Sequence, residues 1–194
     1  MPRRPLLELM ERYAEHYPGE PGLGAARRLV ERHANCFERD CLPGHITASA
    51  WISSEDGSRF LLTHHRKLGR WLQLGGHADG ENDVLAVARR EACEESGMSD
   101  FELLPARGGS PLLDIDVHVI PARKGEPEHE HHDMRVLLVA RDGQQLAISD
   151  ESIDLRWFEW SELETVGEQD QSILRLARKA REQLNRIGKN IDGH

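Results

Sequence analysis

Between Gly75 and Met98 the chain reads GGHADGENDVLAVARREACEESGM, and this stretch constrains the fold more than any other. Asp83 is a suitable N-cap and Gly97 a suitable left-handed terminal residue, so a helix is bracketed between them. Val84, Leu85, Val87, Ala88 and Ala92 supply an apolar stripe that needs a partner layer. Glu91, Glu94 and Glu95 fall at positions i, i+3 and i+4 and therefore share one patch of the same helix. Like charges at that spacing weaken a helix by about 0.2–0.5 kcal/mol a pair. Two unit charges about 4 Å apart repel by roughly 4 kcal/mol at an effective dielectric near 20, so cations, protons or water must offset the crowding. Arg89 and Arg90 relieve part of it. Hard carboxylate oxygens with room left for water and phosphate oxygens suit Mg²⁺ or Mn²⁺ better than Zn²⁺. A solvated acidic helix face with local arginine pairs is the plainer reading of the same residues.

The rest of the chain surrounds this helix with both kinds of regular structure. Apolar residues at spacings of three and four predict helices over 5–17 and 23–38, separated by PGEPG at 18–22. HITASAWISS, the turn EDGS and RFLLTHH together read as a hairpin. KLGRWLQLGGHADGEN follows as a glycine-containing loop. Strands are expected over 112–120 and 133–141, joined by PARKGEPEHEH, and over 154–158, before a last helix near 168–187. Interleaved strands and helices predict an α/β or α+β sandwich.

A length of 194 residues supports one substantial core with appendages. Hydrophobic residues make up 38% and charged residues 30%, as in soluble globular proteins. No apolar run approaches the roughly 18 residues of a membrane span. MPRRPLLELMERYAEH has no sustained apolar core or cleavage site, so a signal peptide is not expected and the cytoplasm is the expected location. Three cysteines, Cys36, Cys41 and Cys93, are too few and too odd in number for a disulfide framework. A formal net charge of −9 excludes non-specific nucleic-acid binding, which needs a basic surface. A phosphorylated small molecule is still compatible with such a protein when divalent cations stand between the two anions.

Gly76 followed by Arg90-Glu91-Ala92-Cys93-Glu94-Glu95-Ser96-Gly97-Met98 resembles the Nudix box: Gly, five residues, Glu, seven residues, then Arg-Glu-apolar-any-Glu-Glu-any-Gly-apolar. The one departure is Asn82, with Glu81 beside it, where the pattern has its first Glu. The resemblance implies a mixed sheet sandwiched between helices, an α/β/α arrangement with the box as loop-helix-loop. It places an N-terminal helical extension at 1–40 before a Nudix domain at 41–194. It also implies Mg²⁺- or Mn²⁺-dependent hydrolysis of a nucleoside diphosphate linked to another moiety X, such as a nucleotide sugar like ADP-ribose, a dinucleoside polyphosphate or a nucleoside triphosphate. Glu91, Glu94 and Glu95 would take the family's metal-binding positions, Arg90 would orient them, and Gly75 and Gly76 would let the backbone approach the site closely. The general base is drawn from different places in this family. Glu95 within the box and Glu151 in ISDES are the candidates here, an exposed loop acid being the plainer reading of Glu151.

Isopentenyl-diphosphate isomerase shares that fold and has a loop histidine that His77 resembles. It uses a cysteine two residues earlier, where this chain has Gly75. A non-catalytic nucleotide-sensing Nudix module is the third class, favoured by Asn82 and opposed by the three glutamates. His77 is a candidate contact to metal or phosphate, or a simple loop histidine. Arg66, within His64-His65-Arg66-Lys67, is a candidate rest for a phosphate tail or a solvated strand end, and Trp71 a candidate stacking surface for a base or a core aromatic. In HEHHD an extended strand would put His129, His131 and Asp133 on one face, a metal-like trio, whereas a solvated loop tip would scatter them. His33, Cys36, Cys41 and His45 match no common zinc spacing, and buried thiols near a helix end are the expected outcome. The N-terminal helices can cover a substrate or join two copies as a homodimer.

Overall fold

The structure is a computed structural model that describes residues 2–123, 125–150, 152–167 and 170–188. Its spine is a pair of long parallel strands, β1 (Gly44–Ser53) and β7 (His129–Ala140), in register from Gly44 opposite Glu130 to Ser53 opposite Val139. β1 is buried along its whole length and β7 from His132 onward, with VLLVA closing β7, as in strands covered on two faces. Six shorter strands complete a mixed sheet. β2 (Arg59–His65) pairs with the far end of β1, and β4 (Leu74–His77) pairs antiparallel with its near half. β6 (Asp114–Ile120) pairs with the first half of β7, and β5 (Phe101–Leu104) with its second half. β3 (Arg70–Leu72) and β8 (Ser152–Glu159) both pair with β2.

Helices cover both faces, giving the expected sandwich. On one face Ile46, Ala48, Ala50 and Ile52 of β1 and Met134, Val136 and Leu138 of β7 join a core with three helices: α1 (Arg4–Ala14), α2 (Pro21–Arg32) and α3 (Val84–Ser96). Leu6, Met10, Tyr13, Ala26, Leu29 and Val30 place the two N-terminal helices in that same core. On the other face Trp51, Leu137 and Val139 pack with Phe60, Phe158 and Trp160. They meet Ile173, Leu176, Ala177, Ala180 and Leu184 of α5 (Gln171–Arg186), which follows the short α4 (Leu163–Gly167).

α3 begins and ends where its caps predict. The Asp83 carboxylate accepts from the amides of Leu85 and Ala86, and Gly97 closes the helix at φ 73°. The hairpin also lies at its predicted place. Other boundaries differ. α2 stops at Arg32, so 33–38 is not helical. The glycine-containing loop holds β3 and β4, held by pairing to β2 and β1 rather than by alternation. The connection PARKGEPEHEH is shorter than expected, because β7 starts at His129 and is paired on both sides from its first residues.

Along β1 and β7 the second face turns from apolar to polar. Trp51 and Leu137 are followed by Ser49 beside Arg135, Thr47 beside Asp133 and His45 beside His131. Thr47 and Ser49 donate to the Asp133 carboxylate at 3.2 and 2.7 Å, and Arg135 donates to it at 2.9 Å. Asp114 and Asp116 of β6 continue this buried network, which Arg175 and Lys179 of α5 close. Burial by itself would raise both carboxyls. At Asp114 the hydrogen bond from Arg175 and the charges of Arg135 and Lys179 outweigh it, and at Asp116 the hydrogen bond with His118, the charge of Arg135 and the hydrogen bonds from Arg175 and Ser172 do, so both are held below the usual carboxylate range.

Candidate active site

β4 is a strand of four residues that hands chemistry to both faces of the sheet. Gly75 lies opposite Ser49 and Gly76 opposite Ala48. A Cβ on Gly75 would stand 2.6 Å from Ser49 Cα and 2.7 Å from the Ala48 carbonyl, so only glycine lets these strands close. A Cβ on Gly76 would meet the Glu91 carboxylate at 2.6–2.7 Å, on the α3 side of the sheet. The glycine therefore forms a cradle for that carboxylate, which is largely buried at 13% side-chain exposure.

Arg90 organises this corner. Its Nη1 lies 2.8 Å from Glu91 Oε1 and 3.2 Å from Glu94 Oε2, while its Nη2 donates to the His77 carbonyl at 2.9 Å. One guanidinium thus ties two carboxylates of α3 to the end of β4. Glu94 is 60% exposed, and Glu95, one residue on, is half-buried on the same helix. The donors are all carboxylate oxygens with an open side toward water, a set that fits a hard divalent cation and the anionic ligand it would carry. At the start of the box, Glu81 accepts from the Asp83 amide at 3.0 Å, and Asn82 is half-buried.

The structure therefore brings Gly75, Gly76, Arg90, Glu91 and Glu94 together, with Glu95 on the same helix. Arg66 and Trp71 belong to a different region, around the β2–β3 hairpin. Arg66 donates to the carbonyls of Asp150 and Ser152 at 3.0 and 2.7 Å, gripping the chain on each side of position 151. Glu151 itself lies outside the described residues. Trp71 sits edge-on to Phe158 with ring centres 4.8 Å apart, and tilted against His64 at 5.1 Å, with Arg156 above it.

His77 follows the strand alternation, and its ring points to the face opposite Gly76. There it meets His45 and His131, at ring-centre distances of 5.1 and 4.9 Å. Burial, reinforced by the charge of His77 and His129, lowers His45 to about 4. Burial and the neighbouring His77 and His45 lower His131 to about 2. Both imidazoles are neutral at pH 7. His129 and Asp133 do share the face of His131, as an extended strand requires, but Asp133 is committed to Thr47, Ser49 and Arg135. His132 turns the other way and pairs with Glu130 at 3.1 Å. Cys36 and Cys41 are buried in the first core, where burial raises the Cys36 thiol to about 11. The sequence reading missed His45 as a partner of His77 and His131, because only the register of β1 against β4 and β7 joins them.

A family model described as the NUDIX domain matches residues 43–177. Among solved structures, an Ap4A hydrolase of C. elegans in a binary complex is similar with a TM-score of 0.56 and 18% identity, over 72% of this chain and 97% of that one. A NUDIX-family hydrolase from Clostridium perfringens has a TM-score of 0.52 and 24% identity, over 74% and 97%. The E. coli dihydroneopterin triphosphate pyrophosphohydrolase has a TM-score of 0.53 and 14% identity, over 72% and 95%. At these identities the likeness is one of fold. No curated protein matches the chain.

Proposed function

Since the chain belongs to the Nudix hydrolase superfamily, we propose that it hydrolyses the diphosphate linkage of a nucleoside diphosphate joined to a further group X, with Mg²⁺ or Mn²⁺ held by Glu91, Glu94 and Glu95. The observation that carries this reading is the Glu91 carboxylate seated against Gly76 while Arg90 bridges Glu91, Glu94 and the His77 carbonyl. Residues 41–194 form the hydrolase domain in this reading, and residues 1–40 are a helical extension that covers substrate or joins two copies, which sedimentation of the full chain distinguishes.

When bound, the ion supplies a Lewis acid for phosphorus-bound oxygens and lowers the pKa of water. The chain's own groups do the rest. Arg90 keeps two carboxylates from splaying apart, so their charge is presented as one anionic patch. Gly76 removes the side chain that would push Glu91 away. Glu95 and Glu151 are the groups proposed to accept the proton of the attacking water. In this reading Arg66, which donates to the carbonyls of Asp150 and Ser152, supports the segment that carries Glu151.

Isomerisation is disfavoured, because position 75, where the isomerase carries its cysteine, has no room for a Cβ beside Ser49. The nature of X, among nucleotide sugars such as ADP-ribose, dinucleoside polyphosphates and nucleoside triphosphates, is set by residues outside the box. The test is a panel of these compounds incubated with protein and Mg²⁺, with products resolved by phosphorus NMR. Cleavage is expected from the native chain, and a loss of about a hundredfold or more from Glu94→Gln, which keeps the side-chain shape but removes a charge. Near-normal turnover by a folded Glu94→Gln protein rejects that ligand assignment, and binding without turnover by the native chain makes it a sensor.

A further inference from the structure

A second group of potential ligands lies on the other face of β4. One donor nitrogen from each of His45, His77 and His131 falls within 4.8 Å of the other two. Strand register explains why. His45 and His131 are direct partners in the parallel β1–β7 ladder, and His77 is paired with Thr47, two residues along β1 on the same face. The three rings converge because three neighbouring strands each place a histidine on one side of the sheet.

This convergence is not accounted for by hydrogen bonding. His45 is 2% exposed, and both of its ring nitrogens are buried without a hydrogen-bond partner; His131 Nε2 is in the same condition. Buried polar atoms in folded proteins are nearly always partnered, so each such atom calls for an explanation. The other two histidines of this face are engaged. His118 Nδ1 contacts the Asp116 carboxylate at 3.0 Å, and His129 Nδ1 contacts the Pro127 carbonyl at 2.9 Å. Among the histidines of this face the orphaned nitrogens therefore belong to the converging group; elsewhere among the described residues Trp51 Nε1 and His132 Nδ1 are also buried without a partner, but each stands alone.

We infer that His45, His77 and His131 form a second metal site, one that takes a borderline transition ion of the zinc class and is separate from the carboxylate patch on α3. Imidazole nitrogen is the donor that such ions favour over the hard ions suited to carboxylate oxygen. In a tetrahedral site with bonds of about 2.0–2.1 Å the donor atoms stand roughly 3.3 Å apart, so closing the group onto an ion takes inward ring movements of less than about 1 Å. Three protein ligands leave a fourth position for water or an anionic oxygen. Because Gly76 and His77 are consecutive, an ion here fixes the end of β4 whose carbonyl Arg90 grips.

The test uses full-length protein without a histidine tag, stripped with chelator and then titrated with Zn²⁺ or Co²⁺ in the presence of excess Mg²⁺. The expected result is one tightly held Zn²⁺ per chain by elemental analysis, and with Co²⁺ the visible bands of a tetrahedral nitrogen-ligated ion. His77→Gln, at the more accessible ligand, is expected to weaken uptake by about tenfold or more. His45→Phe with His131→Phe, which keeps the volume filled, is expected to abolish the bands in a protein whose circular dichroism is native. Glu94→Gln is expected to leave them unchanged while abolishing hydrolysis. Absence of uptake by the native chain, or bands that survive in the folded Phe variants or vanish in Glu94→Gln, overturns the assignment. The hydrolase reading is judged by turnover alone and stands or falls separately.

Discussion

Gly75 and Gly76 are adjacent, yet replacing each by alanine should fail in opposite ways. At Gly76 the new methyl would lie 2.6–2.7 Å from three atoms of the Glu91 carboxylate, against the 3.4 Å or more of an ordinary contact. The carboxylate must then retreat by about 0.8 Å, which stretches its 2.8 Å contact with Arg90 beyond charge-assisted hydrogen-bond range. What yields is the end of a side chain, and the Arg90 pairing is partly solvated, so the stability cost is about 1 kcal/mol or less. Displacing a catalytic group by close to 1 Å costs about a hundredfold in rate. At Gly75 the methyl meets the Ser49 Cα and the Ala48 carbonyl, which are backbone and must move apart as strands. Overpacking of that kind costs about 1–3 kcal/mol, or roughly 2–12 °C in melting temperature for a chain of this size. The assay is thermal unfolding beside kcat/KM on the best substrate of the panel, with Mg²⁺ saturating. Gly76→Ala should melt within about 4 °C of the parent and lose most of its turnover, whereas Gly75→Ala should show the larger fall in melting temperature. Near-normal kcat/KM for a folded Gly76→Ala protein, or a greater melting loss at Gly76 than at Gly75, refutes the cradle argument.

Asp114→Asn should destabilise the protein by about 3–5 kcal/mol, because it leaves the buried Lys179 and Arg135 without a full counter-charge; denaturant unfolding measures it. The same network predicts acid sensitivity. Asp114 and Asp116 are depressed in the folded chain, so their stabilisation is fully present above the unfolded value of about 4 and is lost as pH falls below it. Unfolding midpoints should begin to fall below about pH 6.5, where His45 and His131 take protons in the unfolded chain before the folded one, and should fall further below about pH 4 as the carboxylates are protonated, with that second drop larger for the native chain than for Asp114→Asn. Arg66→Met, which releases the carbonyls of Asp150 and Ser152, should lower kcat with little change in KM if Glu151 takes the proton; an unchanged kcat points instead to Glu95.

Much of the helix that carries the carboxylates was legible because its signals are local. Asp83 and Gly97 cap it within a residue, and the i, i+3, i+4 spacing alone puts Glu91, Glu94 and Glu95 on one side. β2 was legible over 59–65 for the same reason, with a turn at one end and Phe60, Leu61, Leu62 and Thr63 in succession. β4 was not. LGGH has no alternation and low strand propensity, and it is extended only because β1 supplies its partners. The first residues of β7, HEHH, read equally as an extended strand or a solvated loop tip for the same lack of apolar character, and it is β1 and β6 that hold them extended from both sides. The grouping of His45 with His77 and His131 lay beyond any pattern along the chain, since three separate strand pairings create it. Arg66 and Trp71 were read by proximity to the glycine loop, and their contacts with the Asp150 carbonyl and with Phe158 come from the pairing of β2 with β8, which no local pattern announces.

The parallel ladder between β1 and β7 also governs how the molecule can be made. Thr47 and Asp133, hydrogen-bonded side by side, are 86 residues apart, and chains dominated by such distant pairings search slowly for them. A nascent chain that has emerged only through the carboxylate helix has β1 and β4 but lacks the strand that runs along β1. Biogenesis is therefore back-loaded, and a stalled or truncated product ending before residue 129 would display an unzipped template for aggregation.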